Sequence, residues 1–202
     1  MIKGATLYRV AAGWDFSLTG MEFQARSHHF FPCGSTQTKA VGWVPPRAEE
    51  HGALVETING WRVLRFAIET KTVPGATVRD AAQVKADEIE ATTGRKPGKK
   101  ETRALREDAL LELLPHAFPR RSTVWVLINP AQGWLVTDAS TRGKADEVIS
   151  ALVRTFDALE LRRLQTRITP QTAMTRWLLD EEERPESIYV ERECELRSGD
   201  EI

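Results

Sequence analysis

Asn59-Gly60 lies between two apolar, β-prone runs, residues 54–58 and 61–68. Both turn residues accept the positive φ that a type I′ turn demands, so the pair is the strongest short-range hairpin signal in the chain. It commits this region to a β-sheet. A second pair of runs, 122–128 and 133–138, flanks Asn129-Pro130-Ala131-Gln132 and predicts a second hairpin. Residues 4–11 alternate as a strand does, and 159–164 predict one more short strand.

The stretch between the two hairpins has a different period. Pro74-Gly75 breaks the strand pattern, and Thr77 is placed to cap a helix running to about Ala91. Val78, Ala82, Ala86 and Ile89 form its apolar stripe. Thr93-Gly94 and Pro97-Gly98 end it, and residues 102–114 predict a second helix carrying Leu105, Leu110, Leu111 and Leu114. Pro115 and Pro119 stop that helix. A short helix is expected over 21–27 behind Thr19, and 30–46 reads as irregular. A further helix is expected over 141–156, and another from the Thr169-Pro170 cap to Leu179.

The expected fold class is therefore α+β. A mixed or antiparallel β-rich core (1–74 and 122–165) is interrupted by a projecting helical hairpin arm (75–121). Residues 166–202 read as the start of a truncated C-terminal domain.

The 202 residues, 41% hydrophobic and 28% charged, suit a globular core and argue against wholesale disorder. No run approaches the length of a membrane helix, and the N-terminus lacks the pattern of a secretory signal. Cys33 and Cys194 lie far apart without metal-ligand spacing, which fits a reducing cytoplasm. Phosphate-binding loops, dinucleotide fingerprints, nucleophile elbows and CxxC motifs are missing from the sequence. His28-His29 with Cys33 reads as structural. The acidic run Asp180, Glu181, Glu182, Glu183 points in several directions rather than into one metal site. The expectation is a non-enzyme with no cofactor and no metal.

The net charge of −1 conceals polarity. Residues 95–121 hold Arg95, Lys96, Lys99, Lys100, Arg103, Arg106, Arg120 and Arg121 against four acids, whereas 180–202 hold ten acids and three arginines. A basic turn on a projecting arm is suited to phosphates, because each neutralised phosphate adds sequence-independent, salt-sensitive affinity. A solvated helical arm is the alternative. Phe118, in a corner stiffened by Pro115 and Pro119, is read first as a plug seating the arm on the core and second as an exposed contact. Trp43, Trp61, Trp125 and Trp134 are read as core residues, and Trp177 as a residue that a further domain would cover.

Four stretches occur in order: Phe31-Pro32-Cys33-Gly34-Ser35, Gly42-Trp43-Val44-Pro45-Pro46, Leu113-Leu114-Pro115-His116-Ala117-Phe118 and Arg192-Glu193-Cys194-Glu195-Leu196. Together they resemble the RdgC family of recombination-associated proteins. The resemblance implies an α+β, nucleoid-associated cytoplasmic protein that binds double- and single-stranded DNA without sequence preference and restrains RecA. It also implies a homodimeric ring with a basic lining, in which the arm helps to close one contact with Phe118 at its foot. Some descriptions label the family an exonuclease. Members run to roughly 300 residues, so ring closure is the implied property most affected by a chain of this length.

Overall fold

A computed structural model of the chain describes residues 4–11, 13–14, 17–49, 51–139, 141–180 and 182–190. Glu181 and the Arg192-Glu193-Cys194-Glu195-Leu196 stretch, with the rest of the acidic tail from 191, lie outside these residues. The chain divides into two compact units, Met1–Arg163 and Leu164–Ile202.

The first unit is built on a seven-stranded antiparallel sheet. Its strands are β1 (Thr6–Val10), β2 (Lys39–Val44), β3 (Glu56–Ile58), β4 (Trp61–Lys71), β5 (Pro119–Asn129), β6 (Trp134–Thr137) and β7 (Leu161–Arg163). The order is β2-β4-β5-β6-β1-β7, with β3 paired to the remaining length of β4. The fold is α+β, and the sheet is antiparallel throughout its named pairs.

Asn59 and Gly60 take φ of 48° and 81°, the two positive values of a type I′ turn, and join β3 to β4 as the dipeptide predicts. β2 was hidden within the stretch expected to be irregular. Its sequence, KAVGWV, carries a glycine that weakens a strand pattern, yet the glycine is required there. A Cβ on Gly42 would lie 2.5 Å from the Phe30 Cα, because the 28–30 segment crosses directly over β2. That segment is held by Trp43 N–H donating to the His28 carbonyl and Phe30 N–H donating to the Trp43 carbonyl, both at 2.9 Å.

Two helices supply the core: α1 (Leu18–Arg26), capped by Ser17, and α4 (Arg142–Thr155), capped by Thr141. Met21 and Ala25 of α1 join Ala145, Val148 and Leu152 of α4 and the adjoining Phe156. They pack with Leu64, Phe66, Ile68, Val124, Val126, Ile128 and Leu135, the alternate positions of one sheet face. Trp43 is completely buried and donates its indole N–H to Thr155 Oγ1 at 2.9 Å. Its reading as core stands. Trp61, Trp125 and Trp134 do not share that fate: all three are half-buried, and Trp125 and Trp134 sit on the opposite sheet face. Period-2 alternation reveals that a strand has two faces but not which one a helix will cover.

Between β4 and β5 the chain forms α2 (Gly75–Thr93) and α3 (Lys99–Leu113), then one turn of 3₁₀ helix over Leu114–His116. Lys71 pairs with Pro119, so the arm is the long connection of a single β4–β5 ladder. Ala82, Ala86 and Ala109 are its buried seam, small residues that let the two helices approach closely. Leu111, expected in that seam, is half exposed. Gly94, at φ 72°, ends α2 in the left-handed conformation.

The second unit contains α5 (Pro170–Leu179), with Thr169 Oγ1 accepting from Thr172 N–H at 3.1 Å and Pro170 at the first position, as the sequence predicts. Its Met174, Leu178 and Leu179 are exposed, and Trp177 is half-buried.

Candidate nucleic-acid interface

The basic residues predicted to act together fall into separate places. Arg95 and Lys96 occupy the turn at the arm's tip, and Lys99 and Lys100 open α3 beside it. Arg103 and Arg106 lie further along α3. Arg120 and Arg121 belong to β5, which begins at Pro119, three residues before the predicted strand start. A helix of the length of α2 spans about 28 Å at 1.5 Å per residue. Tip and root are therefore opposite ends of the arm, and the sequence run is not one spatial cluster.

Several of these cations are already engaged. Arg95 makes a bidentate pair with Glu101, at 2.7 and 2.8 Å. Glu101 also accepts from Gly98 N–H at 2.9 Å. The Arg95 hydrogen bonds, followed by the Gly98 bond, hold the Glu101 carboxyl at about 2. This arrangement closes the turn between the helices. Lys96 is 3.9 Å from Glu90, and Arg103 pairs with Glu107 at 3.0 Å one turn on.

Lys99, Lys100, Arg106 and Arg120 differ. All four are exposed, and among the described residues none forms an ion pair. Lys99 and Lys100 are the first two residues of α3. Unsatisfied N–H groups and the helix dipole make that position favourable for anions and unfavourable for cations.

The root has a different chemistry. Glu69 is almost wholly buried, at 3% exposure, and stands opposite Arg121 in the β4–β5 register. Its carboxylate accepts from Arg121 at 2.8 Å and from the Cys33 backbone N–H at 2.8 Å. The Cys33 bond, then the Arg121 contacts, pull its pKa below the ordinary carboxylate value against the opposing effect of burial. Burial, with Glu69 adjacent, pushes the Cys33 thiol up. The Arg121 guanidinium also lies over the Phe30 ring, 4.4 Å from its centroid. Lys71 Nζ donates to the Gly34 carbonyl at 3.0 Å. The Phe-Pro-Cys-Gly-Ser stretch thus fastens the base of the arm to the sheet.

Phe118 is 90% exposed. The reading of it as a plug into the core fails: Leu114, four residues earlier, is the buried one. Ala117 takes an extended backbone after the 3₁₀ turn, and the chain enters β5 directly, so no half-turn brings Phe118 back inward.

Sequence reading missed a third group, Arg9, Arg65 and Arg162, which lie in three different strands, β1, β4 and β7. Arg9 lies 3.4 Å from the Trp134 ring centroid, and Arg65 lies 5.1 Å from that of Trp125. Only strand order brings these residues to one face.

No helix among the described residues is long and apolar enough to cross a membrane. Among those residues, no three His, Cys, Asp or Glu side chains gather as a metal site.

Comparison with known proteins adds the following. A family model described as "Putative exonuclease, RdgC" matches residues 1–202. The recombination-associated protein RdgC of Herminiimonas arsenicoxydans is 41% identical over 196 residues, 97% of this chain and 64% of that protein. The protein of the same name from Janthinobacterium sp. (strain Marseille) is 38% identical over 196 residues, with the same coverage. The one from Cupriavidus necator is 38% identical over 197 residues, covering 98% of this chain and 65% of its own. The chain thus spans about 64% of the length of the curated relatives it matches.

Proposed function

The chain belongs to the RdgC family, and from that premise we propose that it is a sequence-independent DNA-binding protein, for double and single strands, that modulates RecA-dependent recombination. The observation that carries the proposal is the placement of Lys99 and Lys100. Two exposed lysines that form no ion pair among the described residues begin a helix, where its dipole opposes them. A phosphate at that position would take the lysine charges and the free N–H groups together.

In this reading the tip residues Arg95, Lys96, Lys99 and Lys100 meet the DNA backbone first. Arg103, Arg106, Arg120 and Arg121 continue the contact along the arm. Backbone contacts carry no base information, so affinity is indifferent to sequence. The working form is a homodimer whose basic concave surface faces the DNA, in the nucleoid of the cytoplasm, with Phe118 at a subunit contact. The action is binding and not cleavage. Metal-dependent loss of DNA ends with the purified chain would overturn that part.

The test is a salt-titrated binding assay on linear DNA with the Lys96→Glu, Lys99→Glu, Lys100→Glu triple variant. The parent is expected to lose affinity steeply with salt, by about 0.9 in log–log slope for each phosphate neutralised. The variant is expected to bind at least about tenfold more weakly while keeping the parent's circular dichroism spectrum. A flat salt response, or equal affinity for the variant, would refute the arm as the DNA surface.

A further inference from the structure

One sheet face is covered by α1 and α4, whereas the other carries a row of arginines laid on aromatic rings. From β7 to β4 the row runs Arg162, Arg9 over Trp134, then Trp125 under Arg65, with Arg121 over Phe30 beyond. We propose that the part of this sheet face left uncovered by the 28–30 segment is a binding track for single-stranded nucleic acid, in which bases stack on the guanidinium groups of Arg9 and Arg65 and phosphates meet Arg162. The inference deepens the DNA-binding reading above and rests on it.

Three observations converge on an anionic, ring-bearing partner. Arg9 and Arg162 are directly opposite in the β1–β7 ladder. Like charges so placed repel and cost the fold stability, which a polyanion would relieve. The face also has few competing charges of its own. Glu69 is held by Arg121 and Cys33, Glu56 by Arg47 at 2.7 Å, and Asp138 accepts from the Trp125 backbone N–H at 2.7 Å. Among the described residues, Arg9 donates to the Gln132 carbonyl and Arg65 to Thr123 Oγ1, and Arg65 Nε has no acceptor there. Finally, the guanidinium carbon of Arg9 lies 3.4 Å over the Trp134 ring centroid and that of Arg65 5.1 Å over that of Trp125. A guanidinium stacked on an indole keeps its outer face parallel to the ring, which is the surface a base stacks upon.

The track ends in a cleft of about 500 Å³ at the root of the arm, lined by Arg65, Arg121, Thr123, His29 and Phe30, with Glu49 also on its wall. A duplex has its bases stacked on one another and offers this face only phosphates. A single strand offers both chemistries, so the face discriminates between them.

The experiment measures fluorescence anisotropy of the full chain with labelled oligo(dT), an abasic deoxyribose-phosphate strand of the same length, and a blunt duplex. The parent is expected to bind oligo(dT) at least about fivefold more tightly than the abasic strand, the gain that base stacking supplies. Arg9→Lys with Arg65→Lys keeps the charge and removes the plane. It is expected to retain abasic-strand affinity and to lose the oligo(dT) advantage, with duplex binding unchanged within about twofold. Arg9→Gln with Arg162→Gln is expected to weaken both single strands. Equal affinity of the parent for oligo(dT) and abasic strand, or an undiminished oligo(dT) advantage in the lysine variant, overturns the track. Parent binding to duplex but not to oligo(dT) overturns the track and leaves the arm reading standing. Binding to neither overturns both.

Discussion

Glu69 and Arg121 face each other across the β4–β5 ladder, and the same buried carboxylate receives the backbone N–H of Cys33 from a loop 36 residues away in sequence. Three segments are thereby tied together at the point where the arm leaves the sheet. A buried carboxylate costs free energy unless every oxygen is satisfied, and here both are. The tie therefore fixes the geometry of the arm's base more than it adds net stability.

The linkage has a definite pH sense. The pKa of Glu69 is lowered on folding, so its contribution is complete above the unfolded carboxyl value, about 4.3, and fades as pH falls through the folded value. Glu69→Gln is expected to destabilise the chain by about 1–3 kcal/mol at neutral pH. Urea unfolding across pH 3 to 8 checks the rest. The gap between parent and variant should be constant above pH of about 5 and shrink below about 4. A gap that widened in acid would contradict the assignment.

Glycine substitutions give a paired test of the crossing at β2. Gly42→Ala puts a Cβ 2.5 Å from the Phe30 Cα and 2.9 Å from the His28 carbonyl oxygen, all backbone atoms that side-chain rotation cannot relieve. It is expected to cost about 2 kcal/mol or more, and so to lower the melting temperature by about 4–8 °C in a chain of this size. Gly143→Ala, in the first turn of α4 with nothing within 4 Å of the new Cβ, is expected to raise stability by a few tenths to about 1 kcal/mol. Thermal melts of both variants decide it. If the two shift alike, the crossing is not a tight one.

Those residues also mark what the sequence could and could not disclose. The Asn59-Gly60 turn, the Thr169-Pro170 cap and the apolar stripes of α2 and α4 are local signals, and each became the expected element. β2 escaped because Gly42 is there for a neighbour, Phe30, which only the folded chain brings near. The basic run at 95–121 was legible as charge but not as surface. Arg95 is spent on Glu101, Arg121 on Glu69, and about 28 Å of helix separates the tip from the root. Conversely, Arg9, Arg65 and Arg162 lie in strands remote in sequence, and strand order, a non-local property, aligns them. Local periodicity predicts elements. Partnerships between elements need the register.

Phe118 offers the sharpest separation of fold from assembly. Its side chain is 90% exposed, held outward by the extended backbone at Ala117 and by Pro119 at the start of β5. An exposed phenyl contributes little to the folding of its own chain, so Phe118→Ser is expected to change unfolding free energy by no more than about 0.5 kcal/mol. If the residue is a subunit contact, the same substitution removes a central aromatic anchor, a class of residue whose loss costs about 2 kcal/mol or more of association. Sedimentation velocity over a concentration series should then show a dimer for the parent and at least about a thirtyfold weaker dimer for the variant. Equal dimerisation of the two would remove Phe118 from the contact. A loss of folding stability of the same size would mean that the side chain packs inward after all.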